Sequence, residues 1–309
     1  VILLYRGNEF NSNFYYFSGI DIDHAFLVLP KKILLVPRMN LKLAEKIFDG
    51  EVIPYHDYSK ELKKILGKKT EIDGASLPSR IYIKLKKFTK IEDSTEKLFG
   101  KRALKKPEEI SNIKKAVKIS KEIINSIDFR KHKTELDVKR YLLKETVERE
   151  LETAYDPIVA AGVNSSHPHH YPNNSKLKAP VMVDFGVKYK HYSGDITRCF
   201  MFDKKAKKEY EGLQQVNNEI VDELPNLRNG KEVAIFSEKV MKKHGFPKLI
   251  HSIGHGIGID VHEYPRLNKR FKDRIKGTAF TIEPGIYGSR YGLRYEETVY
   301  FDGKKGRVL

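Results

Sequence analysis

Val181-Met182-Val183-Asp184-Phe185-Gly186 is an apolar run carrying a carboxylate near its end, and Ser193-Gly194-Asp195-Ile196-Thr197-Arg198 returns a second carboxylate 11 residues after the first. Later the pattern recurs: Thr278–Ile282 leads into Glu283, and Glu296 follows 13 residues on. Short apolar runs bounded by turn residues predict strands, so each block reads as a strand, an acid at its end, and a returning strand with a second acid. Alternation over 293–301 puts Leu293, Tyr295, Val299 and Phe301 on one face and Arg294, Glu296 and Thr298 on the other. Glu297 falls with the apolar set, which favours Glu296 as the functional acid. By the same rule Asp195, Thr197 and Cys199 share a face. Between the blocks, 250–265 carries His251, His255 and His262 among glycines.

Four carboxylates and a histidine gathered in one pocket repel and raise one another's pKa values. Two divalent cations would offset four carboxylates and leave a site able to polarise water. Oxygen-rich donors with one imidazole and no thiolate favour manganese, cobalt, iron or zinc in a reactive site over a structural zinc site.

Outward from these blocks the chain repeats its order of elements. Pro107 opens a helix at the position that tolerates it, with Glu108 and Glu109 in the first turn. Ile113, Ala116, Val117, Ile119, Ile123 and Ile124 continue that helix as an apolar face. Thr134 and Asp137 form a capping-box pattern for a second helix through Val147. Helices over 207–224 and 231–244, the latter ending at Gly245, precede the second strand block. Two helices, strands, two helices, strands: the order implies an internal duplication, without a visible sequence repeat. A boundary falls in 100–107. Before it, Ala25–Leu29 and 33–36 read as a hairpin, 40–48 and 79–88 as helices, and 52–53 and 71–72 as strand segments. No chemical constellation occurs there.

The 309 residues carry 58 Lys+Arg against 41 Asp+Glu, a formal net charge of +17, which raises a nucleic-acid reading. The excess is spread out, with 20 basic against 13 acidic residues up to Lys105 and 38 against 28 beyond it. Runs such as 84–90 and 204–208 interleave with apolar residues as solvated helix faces do. Abundant Lys, Glu and Ile and the absence of Trp resemble a thermophilic composition. The single cysteine, Cys199, allows no intrachain disulfide and fits a reducing compartment. The apolar run at 1–5 is too short for a signal-peptide core, and no stretch reaches membrane-spanning length. The expectation is a cytoplasmic protein with no membrane partner and no specific nucleic acid. Since position 1 is Val, at least an initiator residue is expected before it.

Val183-Asp184-Phe185-Gly186, Ser193 to Arg198, His251-Ser252-Ile253-Gly254-His255-Gly256-Ile257-Gly258, His262-Glu263-Tyr264-Pro265, Glu283-Pro284-Gly285-Ile286-Tyr287 and Arg294-Tyr295-Glu296-Glu297 resemble, in order and spacing, the successive motifs of the pita-bread metallopeptidases, family M24. The likeness is greatest to the prolidase and aminopeptidase P branch, and it spans 165–301. Asn13-Phe14-Tyr15-Tyr16-Phe17-Ser18-Gly19 resembles that branch's N-terminal domain, which methionine aminopeptidases lack. Ser252 and Tyr295 stand where Gly and Ile are usual, Glu297 replaces the usual Asp, and the turn between Glu283 and Glu296 is one residue short.

The resemblance implies an α/β (α+β) protein. A small creatinase-N-terminal-like α/β domain over 1–104 would precede a pita-bread (creatinase/aminopeptidase-like) catalytic domain over 105–309 with a pseudo-two-fold repeat. It implies two divalent metal ions and five ligands, with Asp184 on one ion, His255 and Glu283 on the other, and Asp195 and Glu296 bridging. It further implies that His262 stabilises the tetrahedral intermediate, that His169 contacts substrate, that Glu283 shuttles a proton, and that Arg294 supports the ligands or binds substrate. The implied reaction is cleavage of an Xaa-Pro bond by a metal-bridging hydroxide, as an Xaa-Pro dipeptidase. An Xaa-Pro aminopeptidase acting on longer peptides is the alternative, and a homodimer is the implied assembly. Because a prolyl nitrogen has no N–H, its pocket must be shaped around the ring, and Tyr287 lies in a candidate region for it.

Each residue alone has a plainer reading. A lone Asp at a strand end is a turn or cap residue. A His among glycines is a hydrogen-bonded loop residue, the reading kept for His251. His167, His169 and His170 could form a surface tract, and only the motif lifts His169 above it. His262 to Pro265 lacks the second His of HExxH, and Gly254, Gly256 and Gly258 lack the dinucleotide-binding spacing. A function of another class, a non-catalytic pita-bread protein whose charge holds RNA, ribosomes or an acidic partner, is disfavoured because all five ligand positions hold competent side chains.

Overall fold

Continuously apolar runs such as Ala25–Leu29 need cover on both faces, and the computed structural model, which describes residues 1–309, supplies it. The chain divides into two compact units, Val1–Arg102 and Ala103–Leu309. In the first, strands β1 (Ile2–Arg6), β2 (Ala25–Leu29), β3 (Ile33–Pro37), β4 (Glu51–Tyr55), β5 (Lys69–Ile72) and β6 (Lys90–Asp93) form one sheet in the order β4-β3-β2-β1-β5-β6. The expected hairpin is there: β2 and β3 pair antiparallel, Val28 opposite Ile33. Alternation sends Leu3, Tyr5, Phe26, Val28 and Leu35 to one apolar layer and Leu4, Ala25, Leu27, Leu34 and Val36 to the other. Helices α1 (Ser12–Ser18), α2 (Leu41–Ile47), α3 (Tyr58–Ile65), α4 (Ser79–Leu85) and α5 (Thr95–Ala103) complete this part of the chain.

The second unit opens with α6 (Pro107–Asn125) and α7 (Glu135–Val147). Pro107 sits in the first turn of α6, and Thr134 caps α7 in a capping box with Asp137. Strands β7 (Glu152–Thr153), β8 (Ile158–Ala161), β9 (Val181–Phe185), β10 (Val187–Tyr189), β11 (Tyr192–Ser193) and β12 (Ile196–Phe200) follow. Then come α8 (Lys204–Glu223) and α9 (Gly230–Lys243), and strands β13 (His255–Gly256), β14 (Glu263–Arg266), β15 (Thr278–Ile282), β16 (Gly285–Tyr287), β17 (Gly292–Arg294), β18 (Glu297–Phe301) and β19 (Gly306–Val308). Helix α8 starts earlier than its apolar periodicity predicts, because Asp203 accepts a hydrogen bond from the Ala206 N–H at 2.7 Å and caps the lysine run. No helix is long and apolar enough to cross a membrane.

The expected two-fold repetition is visible in the pairing. β9 pairs antiparallel with β12, Asp184 opposite Thr197, and β15 pairs antiparallel with β18, Ile282 opposite Glu297. The run 293–301 is not one strand, as alternation predicts. It breaks after Arg294, because β17 pairs with β16 while β18 pairs with β15. Glu296 therefore lies at a change of partner, and its N–H donates to the Thr197 carbonyl at 3.3 Å. Asp195 likewise lies just before β12, not within it, and its carbonyl accepts from Thr298 Oγ1 at 2.7 Å. The two breaks thus brace each other across the halves.

Candidate metal centre

Backbone close approach sets two of the acidic-pocket residues. A Cβ at Gly194 would lie 2.8 Å from the Ala116 carbonyl carbon on α6, and one at Gly254 would lie 1.9 Å from the Thr281 carbonyl oxygen. Each glycine lets the chain press against a neighbouring element, and each directly precedes a candidate ligand, Asp195 or His255. Asp184 is carried by β9 itself, and the Glu283 N–H donates to the Ile253 carbonyl at 2.8 Å beyond β15.

One potential ligand atom from each of Asp195, His255 and Glu296 lies within 4.8 Å of the others. His255 Nε2 is 3.5 Å from Asp195 Oδ2 and 3.9 Å from Glu283 Oε1. Asp184 joins the group through Tyr155, whose hydroxyl is 2.5 Å from Asp184 Oδ1 and 2.6 Å from Asp195 Oδ1. Thr197 Oγ1 donates to Glu296 Oε2 at 2.6 Å, so Asp195 and Glu296 are each oriented by a hydroxyl. Glu297 faces elsewhere, paired with Arg198 and with Lys121 at 2.8 Å.

Arg294 is the positive charge in this pocket. Its guanidinium pairs with Asp184 and donates to Thr197 Oγ1 at 3.0 Å, to the Tyr287 hydroxyl at 3.1 Å and to the Pro168 carbonyl at 3.3 Å. The His262 ring lies 4.0 Å, centroid to centroid, from that of His255, tilted 52° to it. His169 lies close enough to His251 and His262 for a charge on it to depress theirs. His251, read from sequence as a loop residue, is hydrogen bonded to the Ser252 carbonyl and places Nε2 2.9 Å from the Tyr287 hydroxyl at the edge of the acidic group.

Crowding raises three of the carboxyl groups. Burial first, then Glu296 and Asp184, push Asp195 well above the ordinary carboxylate range. Burial and Glu296 do the same to Glu283, and burial with Asp184 lifts Glu296 to about 7. Burial lowers His255 to about 3, aided by His262, and His251 to about 4. This is a pocket holding more negative charge than Arg294 offsets. Its hard oxygen donors and one imidazole fit divalent cations.

Tyr155 is the residue sequence reasoning missed. It lies between β7 and β8, outside any periodic run, and its only local signal is its place in Ala154-Tyr155-Asp156-Pro157 just before a strand. Its single O–H stands between two carboxylate oxygens, which fixes both. Replacing Tyr155 by Phe should lower metal affinity or turnover by about 10–100-fold, as loss of an orienting outer partner does, without unfolding the chain. Metal titration of the purified variant beside the parent checks this, and equal affinity and turnover would refute it.

Residues 111–302 match metallopeptidase family M24. The chain is 30% identical over 311 residues to the Xaa-Pro dipeptidase of Pyrococcus furiosus, covering 93% of this chain and 87% of that relative. The solved prolidase from Pyrococcus furiosus superposes with a TM-score of 0.86 at 25% identity, over 99% of this chain and 95% of that one. An X-Pro aminopeptidase from Thermotoga maritima MSB8 shares the fold, with a TM-score of 0.88 at 23% identity, over 99% and 94% of the two chains. With its small α/β unit, its duplicated second unit of the pita-bread type and its divalent-metal donor set, the chain belongs to metallopeptidase family M24.

Proposed function

We propose that this protein is a metal-dependent Xaa-Pro dipeptidase that uses two divalent ions. The observation that carries the reading is the convergence of Asp195, His255 and Glu296, flanked by Asp184 and Glu283, in a chain that aligns over nearly its whole length with an Xaa-Pro dipeptidase. Asp184, Asp195, His255, Glu283 and Glu296 would hold the ions. When bound, these supply Lewis-acid polarisation of the peptide carbonyl and lower the pKa of water to the neutral range.

The chain's own side chains do the rest. Tyr155 and Thr197 fix the carboxylates that face both halves of the duplication. Glu283, half-buried 3.9 Å from His255 Nε2, would carry a proton to the prolyl nitrogen as the bond breaks. Partial desolvation holds His262 below its ordinary value, so its neutral ring can donate an N–H toward the carbonyl oxygen. In the same reading His169 contacts substrate. Arg294 holds Asp184 and the Tyr287 hydroxyl together, and Tyr287 would form part of the wall around the proline ring. Manganese, cobalt, iron and zinc all suit the donor set. In the same reading the enzyme works as a cytoplasmic homodimer.

The test uses one peptide pair. Metal-reconstituted protein should cleave Xaa-Pro faster than Xaa-Pro-Yaa, measured as kcat/KM for both. The reverse ratio would make it an aminopeptidase, and no cleavage of either would overturn the enzymatic reading.

A further inference from the structure

Glu135 reads in the sequence as an ordinary acid in the first turn of α7, yet its side chain is fully buried. Its Oε1 accepts from the Ala161 N–H at 2.8 Å and from Asn164 Nδ2 at 2.9 Å. Its Oε2 accepts from the Asn173 N–H at 3.1 Å and meets His170 Nε2 at 2.8 Å. The start of α7 adds backbone bonds in the same direction, from the Glu135 N–H to the Ser175 carbonyl and from the Leu136 N–H to the Asn173 carbonyl, both 3.1 Å. One carboxylate therefore ties both ends of the segment 161–173.

The middle of that segment is held from the other side. Ser166 Oγ donates to the Gly288 carbonyl at 2.5 Å, the Gly292 N–H donates to Ser165 Oγ at 2.8 Å, and Arg294 reaches the Pro168 carbonyl. His169 sits between Pro168, anchored to Arg294, and His170, anchored to Glu135. We propose that Glu135 is a positioning residue for substrate binding: it sets the 161–173 segment so that His169 faces the peptide. The proposal rests on the reading of His169 as a substrate contact.

A carboxylate accepts at both oxygens, whereas an amide turns one of them into a donor. In Glu135→Gln one side of the hub must therefore point an N–H at the Asn173 N–H or at Ala161. Compared as metal-loaded enzymes on an Xaa-Pro dipeptide, Glu135→Gln should raise KM about tenfold, the effect of one buried group left unsatisfied, with kcat nearly unchanged. Amide hydrogen exchange should quicken within 161–173 and not in α6 or α8, and metal content should match the parent. His170→Ala, which removes one donor and leaves three, should shift KM the same way by less, and it serves if the first variant does not fold. Unchanged KM and exchange in both variants, or a joint fall in kcat, metal content and Tm, would overturn the proposal. A parent protein inactive on every Xaa-Pro peptide would instead sink the functional reading beneath it. Exchange needs no substrate, so it separates the two failures.

Discussion

Asp195→Asn should eliminate turnover and most metal binding while leaving a folded protein. Asp195 is in contact with both halves of the site: its carboxylate lies 2.6 Å from the Tyr155 hydroxyl and 3.5 Å from His255 Nε2, and its carbonyl accepts from Thr298. Asparagine keeps the shape and the bond to Tyr155 but removes a charge and offers an N–H where an anionic donor is needed. Loss of a partner that merely orients a ligand costs about 10–100-fold, so loss of the ligand itself should exceed about a hundredfold in kcat/KM. The metal-free variant should melt no lower than the metal-free parent, because the parent buries an acid whose charge its neighbours oppose. Metal analysis, peptide turnover and thermal melting on one preparation check all three. Retained activity would show that Asp195 is not a ligand.

What could be read in the sequence divides by periodicity. Asp184 and Glu283 were legible because an apolar strand that ends on an acid is a local pattern, and His255 because glycines on either side mark a close backbone approach. Glu296 could be told from Glu297 by alternation, although the strand that carried the argument breaks at Tyr295. That break depends on which neighbour each segment bonds to, and such pairing is not written within nine consecutive residues. The bracing of the two halves by Glu296 N–H to Thr197 and Thr298 to Asp195 is non-local in the same way. Tyr155 and Glu135 stayed hidden for a further reason. A single polar residue in a loop or a first helical turn has a common local explanation, and only the positions of distant donors and acceptors assign it another.

The second large effect is a pH dependence of stability that metal should reverse. Three carboxyls, on Asp195, Glu283 and Glu296, are raised in the folded metal-free chain, so folded protein binds more protons than unfolded protein above the ordinary carboxyl pKa. Their contribution is complete below that pKa and is lost as pH rises through the folded values. The histidines oppose it. His255 at about 3 and His251 at about 4 make the unfolded chain the better proton acceptor up to its own pKa near 6.5, so their contribution grows with pH and then levels off. Between about pH 4.5 and 6.5 the two trends compete; above 6.5 only the carboxyl trend remains. Glu296 alone, moved from 4.5 to about 7, corresponds to about 3 kcal/mol, most of it lost below pH 7, so the decline above pH 6.5 rests mainly on Asp195 and Glu283. Chelator-treated protein should therefore melt at progressively lower temperature from pH 6.5 to 8. Added divalent ion should raise Tm more at pH 8 than at pH 6.5, because it binds the ionised carboxylates and competes there with fewer protons. In Glu296→Gln the decline should be shallower. A metal-free Tm that is flat or rising across this window would mean that the acids are not gathered in one pocket.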